Sequence, residues 1–282
     1  MADPTVRRRR LGSELRRMRE SVPLKLDDVE ARLGLTTTKL SRIETARINV
    51  KPADLDGMLD LYGGVDDAKR AALHSLAKDG GKRGWWQTYR DAISPEYADL
   101  ISLEADAKSM RCYETVLIPG LLQTSAYARA TINAINMTST PEHVSALVEV
   151  RLARQSVLTR PEPLAVWAVI HEAALRPSIT SAPVMRDQLQ RLLDLSELPH
   201  VSIQVLPLDA MPHPGMAGSF TMIGFPETAD LDVVLVESLT SALYVEDPAE
   251  VSIYGGAFER LRAAALPFDK SADLIAKTKD QT

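Results

Sequence analysis

Hydroxyl and cationic side chains crowd the stretch LGLTTTKLSRIETAR, which runs from Leu33 to Arg47. Threonine can contact a thymine methyl group or a base edge, and arginine can form two hydrogen bonds with guanine. Lysine and arginine in an adjoining loop usually contact phosphates, which position a protein on DNA. The side chains that we expect to contact double-stranded DNA are Thr36, Thr37, Thr38, Lys39, Ser41, Arg42, Arg47 and Lys51.

These side chains need a helix that presents them together, and the apolar spacing predicts one. Apolar residues between Leu26 and Leu33 line a short helix that ends at Gly34. A second helix follows, with Thr36 as its N-cap and with Leu40 and Ile43 facing inward. Two short helices joined by such a turn predict a helix-turn-helix, whose second helix enters the major groove. The free amides at the start of this second helix are expected to suit a phosphate.

The rest of the first 80 residues is also expected to be helical. Leu11, Leu15 and Met18 recur at the spacing of one helix face, another helix opens at Pro52, and residues 68–78 suggest a fifth. We therefore predict an all-α helix-turn-helix bundle of four to five helices. A bundle of the same kind that binds no DNA is the alternative.

Positive charge is concentrated at the start of the chain, although the whole chain has a net charge of −5. Residues 1–51 hold 13 Lys and Arg against 7 Asp and Glu, whereas the remainder holds 20 against 31. This asymmetry favours a nucleic-acid contact at one end of the chain. The run from Arg7 to Arg10 either adds phosphate contacts or forms a solvated tail.

A second domain is predicted after DGGKRG, Asp79 to Gly84, because its glycines and charges indicate a linker. Helical periodicity dominates as far as Pro163, and beyond it five short segments rich in β-branched residues predict strands. These segments are LAVWAVI, VSIQVLPL, SFTMIGF, DVVLVES and SALYVE. The predicted fold class is α+β overall, with a helix-turn-helix domain at 1–78, a linker at 79–84, a mixed α+β partner- or ligand-sensing domain at 85–275 and a frayed tail at 276–282.

The second domain lacks the usual sequence patterns of catalytic, metal and cofactor sites. In VIHEAALRP, Leu175 stands where a zinc peptidase has its second histidine. The single cysteine, Cys112, is expected to be a buried apolar residue rather than a zinc ligand. We therefore expect no catalytic residue, no metal and no cofactor, and we predict that the chain is not an enzyme.

No apolar run approaches the roughly 18 residues that a membrane-spanning helix requires. The basic N-terminal segment has no apolar stretch behind it, unlike a secretory signal. We expect no membrane contact and a cytoplasmic protein that is nucleoid-associated when it is bound to DNA.

Candidates for contact with a ligand or a partner lie in three parts of the second domain. Clustered aromatic residues at its start suit either core packing or the wall of a pocket. In IPGLLQT, the polar residues precede a helix that Thr124 or Ser125 could cap, and the alternative is a small-molecule or peptide pocket lined by Gln123, Tyr127 and Arg154. Glu172 lies four residues before Arg176, which favours a surface or structural ion pair over an acid/base catalyst. The candidates are Trp85, Trp86, Tyr89, Gln123, Tyr127, Arg154 and Glu172.

The segment LDDVEARLGLTTTKLSRIETAR, Leu26 to Arg47, resembles the helix-turn-helix of the Cro/phage-repressor superfamily, also called the XRE family. The resemblance implies that Thr37, Thr38 and Arg42 occupy base-reading positions. It also implies that Glu44 helps to hold the turn after the recognition helix.

Two residues depart from that family's pattern. Leu26 stands where a phosphate-binding glutamine is common, and Glu30 stands where a small residue packs at the helix crossing. A carboxylate without a partner is costly to bury. Either Glu30 therefore tilts outward or its helix shifts slightly, and DNA affinity is affected.

From about Trp85 to Leu274, the chain resembles the C-terminal domain of a large actinobacterial family of helix-turn-helix transcriptional regulators. The segments PGLLQTSAYARA and RLARQ are the most specific part of this likeness. That C-terminal domain is of unknown function, and members of the family are often encoded beside a small acidic partner protein. The resemblance implies no catalytic residue.

Together these observations predict a sequence-specific DNA-binding transcriptional regulator. Its C-terminal domain is expected to receive a signal from the small acidic partner protein or from an unknown small ligand. A homodimer is expected, because one helix-turn-helix reads only half of a two-fold site. The main alternative is an antitoxin-like module that binds a small cognate protein and only autoregulates its operon, and a DNA-directed enzyme is a further one.

Overall fold

The computed structural model describes residues 4–77, 85–136, 139–176, 180–225 and 231–282. Contacts between residues divide the chain into two compact units. One comprises Met1–Trp85 together with Phe225–Leu231, and the other comprises Trp86–Gly224 together with Asp232–Thr282. The predicted linker, residues 79–84, lies outside the described residues.

The described part of the first unit is built from five helices around one apolar core. Leu15, Val29, Leu40, Ile43 and Leu59 are at most 2% exposed and contact one another across these helices. Since apolar side chains recur every three or four residues, each helix buries one face. The helices are α1 (Val6–Ser21), α2 (Leu26–Leu33), α3 (Thr37–Glu44), α4 (Pro52–Tyr62) and α5 (Asp67–Ala77).

The second unit combines helices with one mixed sheet. Its helices are α6 (Pro95–Asp106), α7 (Ser125–Ile135), α8 (Pro141–Arg154), α9 (Ala182–Ser196), α10 (Pro248–Ala264) and α11 (Phe268–Gln281). Its strands are β1 (Ser109–Glu114), β2 (Ala165–His171), β3 (Val201–Leu206), β4 (Phe220–Gly224), β5 (Val233–Glu237) and β6 (Ala242–Val245). Short 3₁₀ helices span Trp85–Tyr89, Gly120–Leu122, Gln155–Leu158, Glu172–Leu175 and Pro214–Ala217.

The six strands are ordered β3-β2-β1-β4-β5-β6. Strands β1, β2 and β3 are parallel, and β4, β5 and β6 join them through antiparallel pairs. On one face, Tyr113, Phe220 and Val234 pack with Phe258 of α10. On the other face the side chains alternate inward towards α6, α7 and α8, as the period of a strand requires.

The α+β class, with a helical N-terminal region and a C-terminal region that carries a mixed sheet, is confirmed. All five predicted strands are present as β2 to β6. Strand β1 was missed, because SMRCYE follows α6 directly and carries Arg111 and Glu114 at partly exposed positions. Its pairing with β2 and β4 places it at the centre of the sheet.

The prediction of a frayed tail at 276–282 needs correction, because most of these residues are helical. Helix α11 continues to Gln281, and it packs against α9 and β3. The side chain of Thr278 is buried, and its hydroxyl donates to the carbonyl of Leu274 at 2.8 Å. Burial of one helix face holds these last residues in place, although their polar sequence resembles a solvated end.

Candidate nucleic-acid interface and cleft

Helix α3 has an outward surface that carries hydroxyl and cationic groups. Thr38 and Arg42 are exposed on the helix, and Arg47 is exposed just after it. Thr37 and Ser41 are half-buried on the flanks of this surface. The geometry therefore brings five of the sequence candidates together around one helix.

The remaining candidates frame α3 at its start and beyond its end. The hydroxyl of Thr36 accepts a hydrogen bond from the amide of Lys39 at 3.2 Å, which confirms the predicted N-cap. The ammonium of Lys39 binds Asp54 of α4 at 2.7 Å, so its charge is already matched by a carboxylate. Lys51 is exposed immediately before α4.

A buried ion pair holds the C-terminal end of α3 against α1. Glu44 accepts hydrogen bonds from Nε and Nη2 of Arg19 at 2.7 and 2.9 Å. The same guanidinium donates to the carbonyl of Leu24 at 2.8 Å. The hydrogen bond with Glu44 raises the pKa of Arg19. A pair of hydrogen bonds of this kind fixes the orientation of the two side chains as well as the distance between them.

Close approach of the two helix backbones depends on Gly12 of α1. A Cβ atom at this position would lie 2.7 Å from the carbonyl oxygens of Ile43 and Glu44. Backbone atoms cannot move aside as a flexible side chain can. Glycine is therefore required where α1 crosses the end of α3.

The carboxylate of Glu30 lies at the N-terminal end of α3, and this corrects one expectation. Its Oε2 accepts from the amide of Thr37 at 2.9 Å, while Thr36 satisfies the amide of Lys39. Two of the amides that were expected to suit a phosphate therefore already have acceptors. The half-buried Glu30 gains a partner in this way, which explains how a carboxylate is tolerated at the crossing.

Two features of the first unit bear on phosphate contact. Leu26 packs against the apolar core and offers no polar group where a glutamine is common. The segment from Arg7 to Arg10 lies within α1, so the solvated-tail alternative is wrong. Arg9 donates to the carbonyl of Pro4 at 2.8 Å, and Arg10 is 5% exposed.

A cleft of about 390 Å³ in the second unit contains two of the other sequence candidates, Gln123 and Arg154. The third residue of that group, Tyr127, is fully buried, and its hydroxyl accepts from the amide of Ile118 at 3.2 Å. The hydroxyl of Thr124 accepts from the amide of Tyr127 at 3.3 Å, which confirms that it caps α7. The segment thus both caps a helix and borders a cleft.

Arg154 is held firmly inside the unit. Its guanidinium donates to Glu104 at 2.9 and 2.5 Å and to the hydroxyl of Tyr97 at 2.6 Å. Burial opposes the charge of Arg154, but the carboxylate and the phenol raise its pKa above the ordinary value. Because Glu104 and Tyr97 accept the hydrogen bonds of the guanidinium, the main role of Arg154 is structural.

The remaining candidates do not converge on the cleft. Trp86 and Tyr89 pack against a small apolar cluster centred on Ile93, and Trp85 is 37% exposed. Glu172 accepts from Arg176 at 2.7 Å, which confirms the expected ion pair. Its second oxygen accepts from the amide of Leu208 at 3.1 Å.

Sequence reasoning missed four charged residues that line this cleft, namely Glu104, Glu114, Arg151 and Glu237. Burial raises the pKa of Glu114 to about 7, and the charge of Glu237 adds to this rise. The hydroxyl of Ser219 and the charge of Arg151 act in the opposite direction. Glu114 lies at the carboxyl end of β1, the strand that the sequence analysis did not predict.

Within the described ranges, no group of three or more His, Cys, Asp or Glu side chains could hold a metal ion. Cys112 is buried, as expected, and burial raises the pKa of its thiol. None of the described helices has both the length and the apolar character that crossing a bilayer requires.

Comparison with known families gives two matches along the chain. Residues 10–73 match a helix-turn-helix domain, and residues 97–277 match a domain of unknown function, DUF5753. Neither a curated protein nor a solved structure matches the chain. The first match includes all of α2, α3 and α4, and the second spans β1 to β6.

Proposed function

Since the chain belongs to the DUF5753 family and carries a helix-turn-helix domain, we propose that it is a sequence-specific transcriptional regulator that binds DNA through α3. The observation that carries this proposal is the exposed surface of α3, with Thr38 and Arg42 outward and the helix held by Glu30 at its start and by Arg19 at its end. A recognition helix needs this combination, because its side chains must meet base edges at defined positions.

The contacts of the interface follow from its chemistry. Thr37, Thr38, Ser41 and Arg42 read bases in the major groove, whereas Arg47 and Lys51 contact phosphates. Lys39 has a smaller part, because Asp54 neutralises its ammonium. Phosphate contact at the start of α3 is limited by Glu30.

The regulator acts as a homodimer on a two-fold site, since a single recognition helix covers only half of such a site. It is cytoplasmic, because that is where its DNA lies. The C-terminal domain performs no catalysis and receives a signal from a small protein partner or a ligand. The cleft at Gln123 favours a ligand.

The proposal is tested by selecting bound fragments from the sheared genome of the source organism with the full chain, at roughly physiological salt. The control is the triple variant Thr37→Ala, Thr38→Ala, Arg42→Ala, whose changes lie on the outward surface of α3. Enrichment of a few palindromic sites that the variant does not enrich is the expected result. Equal recovery by both folded proteins would contradict base reading by α3.

A further inference from the structure

The cleft described above adjoins a second cavity of about 410 Å³, and both have a size typical of small-molecule sites. The shared wall is formed by α6, α7, α8 and the end of β5. Leu100, Ile132 and Leu235 contribute apolar surface to it. This part of the wall suits the apolar portion of a ligand.

Three strands bring acidic and hydroxyl groups into one row at the end of the sheet. Tyr113 pairs with Phe220 and Thr221 pairs with Leu235, so continuing the register sets Glu114 beside Ser219 and Ser219 beside Glu237. Neighbouring strands are about 4.8 Å apart, which separates the two glutamate backbones by about 10 Å. Residues opposite each other in neighbouring strands share a face of the sheet, so Glu114 and Glu237 lie on the same face with Ser219 between them.

The charges of the cleft are unbalanced. Its lining holds the carboxylates of Glu104, Glu114 and Glu237 and the guanidiniums of Arg151 and Arg154. Arg154 is paired with Glu104. Among the described residues, no cationic nitrogen lies within 4.0 Å of the carboxylate of Glu114 or Glu237, so one negative charge is left over when all three carboxylates are ionised.

Arg151 does not form an ion pair with Glu114 or Glu237. One of its terminal nitrogens donates to Oε1 of Gln123 at 3.0 Å. Its buried Nε has no hydrogen-bond partner within the described part of the chain. The guanidinium of Arg151 is therefore held by the side-chain amide of Gln123 rather than by a carboxylate.

We propose that this cleft binds a small amphipathic molecule with a protonated amine, which contacts Glu114 and Glu237 while its apolar part lies along Ile132 and Leu235. The inference deepens the proposed function, on which it rests for the meaning of the ligand as a signal. An amine at this place supplies the positive charge that the lining lacks. Burial and the charge of Glu237 raise the pKa of Glu114 despite the opposing charge of Arg151, and an amine beside Glu114 would stabilise its charged form.

Calorimetric titration of the full chain at about pH 8, where both Glu114 and an alkylamine are charged, tests the proposal. The probes are 2-phenylethylamine and hexylamine, compared with the matched neutral 2-phenylethanol and the matched anion 3-phenylpropionate. We expect the amines to bind at least about tenfold more tightly than the alcohol and the anion. Equal or tighter binding of the alcohol or the anion, or no saturable binding of either amine, would overturn the proposal.

Variants locate the site. Glu114→Gln should weaken amine binding at least about tenfold, and the exposed Glu237→Gln should weaken it less. Glu197→Gln removes the same charge from an exposed position outside both cavities and should leave binding unchanged. Amine binding that is unchanged in both cleft variants would refute the placement of the amine at Glu114 and Glu237. If Glu114→Gln does not fold, unchanged binding by Glu237→Gln alone would refute it.

Failure of this inference is separate from failure of the proposed function. The titration contains no DNA, and the genomic selection contains no amine. Amine binding with no enriched DNA would leave the ligand site standing and contradict the regulator. Enriched DNA without amine binding would support the regulator and overturn the amine site.

Discussion

At the residue scale, two exposed arginines near α3 are expected to have different roles on DNA. Arg42→Ala should relax preference at one base pair and cost about 1–3 kcal/mol on the preferred sequence only, because it removes a base contact. Arg47→Ala should weaken all sequences alike and reduce the salt slope by about one, because it removes a phosphate contact. Affinities for preferred and scrambled duplexes over a salt series measure both effects, and identical behaviour of the two variants would refute these roles.

Glu30 is expected to limit affinity for DNA. Glu30→Gln keeps an oxygen that can accept from the amide of Thr37 but removes the negative charge from the start of α3. Because helix N-termini attract phosphates, binding should tighten by about two- to tenfold on all sequences. Fluorescence anisotropy with the full chain measures this.

A matched control separates the local effect of Glu30 from overall charge. Asp27→Asn removes one negative charge from the same helix, at an exposed position before α3. Its effect should be smaller than that of Glu30→Gln. An equal gain in affinity from both variants would mean that only the net charge matters.

The buried carboxyl group of Glu114 should make the second unit less stable as the pH rises. Its folded pKa of about 7 lies above the ordinary 4.5, so the folded state holds the proton more tightly than the unfolded state. Near pH 4 both states are protonated and burial of the carboxyl costs little; the cost grows as pH rises and is complete above about pH 7.

Glu114→Gln should therefore stabilise the second unit by about 1–3 kcal/mol above pH 7 and by little near pH 4. Urea unfolding of the full chain at several pH values, followed by circular dichroism, measures the gain. Glu197→Gln, which removes a carboxylate from an exposed position, is the control for the loss of one charge. A gain from Glu114→Gln that is equal at all these pH values would contradict a raised pKa.

At the scale of elements, the crossing of α1 and α3 rests on one glycine. Gly12→Ala should destabilise the first unit by about 1–3 kcal/mol, because the new methyl group meets backbone carbonyls at 2.7 Å. Gly57→Ala, in α4, meets only the flexible side chain of Leu33 at 3.5 Å. It should therefore stabilise the unit by up to about 1 kcal/mol.

Hydrogen exchange locates this effect within the full chain. Amides of α1 and α3 should exchange faster in the Gly12→Ala variant and no faster in the Gly57→Ala variant. If both variants protect these amides equally, the close approach of the two helices does not depend on glycine.

Local sequence was enough to predict the helices of the first unit and five of the six strands. The cap at Thr36, the stop at Gly34 and the β-branched runs are short-range patterns with direct physical causes. Strand β1 follows a helix without a turn marker, and its central position depends on partners more than 50 residues away, such as Val166 opposite Met110. The row of Glu114, Ser219 and Glu237 depends on that register and therefore could not be predicted from local sequence patterns.

At the scale of the whole molecule, positive charge is concentrated in the first 51 residues and negative charge in the rest of the chain. Residues 1–51, with 13 Lys and Arg against 7 Asp and Glu, include all the side chains that we assign to DNA. The remainder is acidic, with 20 against 31, and includes the cleft whose lining has a surplus carboxylate. Under the proposed function, the positive charge lies in the part of the chain that contacts phosphates, so an acidic protein can bind DNA.

The central claim is that α3 reads base edges in the major groove, and a thermodynamic cycle between Arg42 and one guanine tests it most directly. On the site recovered by genomic selection, each guanine in turn is replaced by 7-deazaguanine, which lacks the N7 acceptor of the major groove. Affinities of the full wild-type chain and of Arg42→Ala are measured on each duplex. We expect one guanine whose replacement costs the wild type about 1–3 kcal/mol and costs Arg42→Ala almost nothing. Equal losses for the two proteins at every guanine, or no loss at any, would contradict the account.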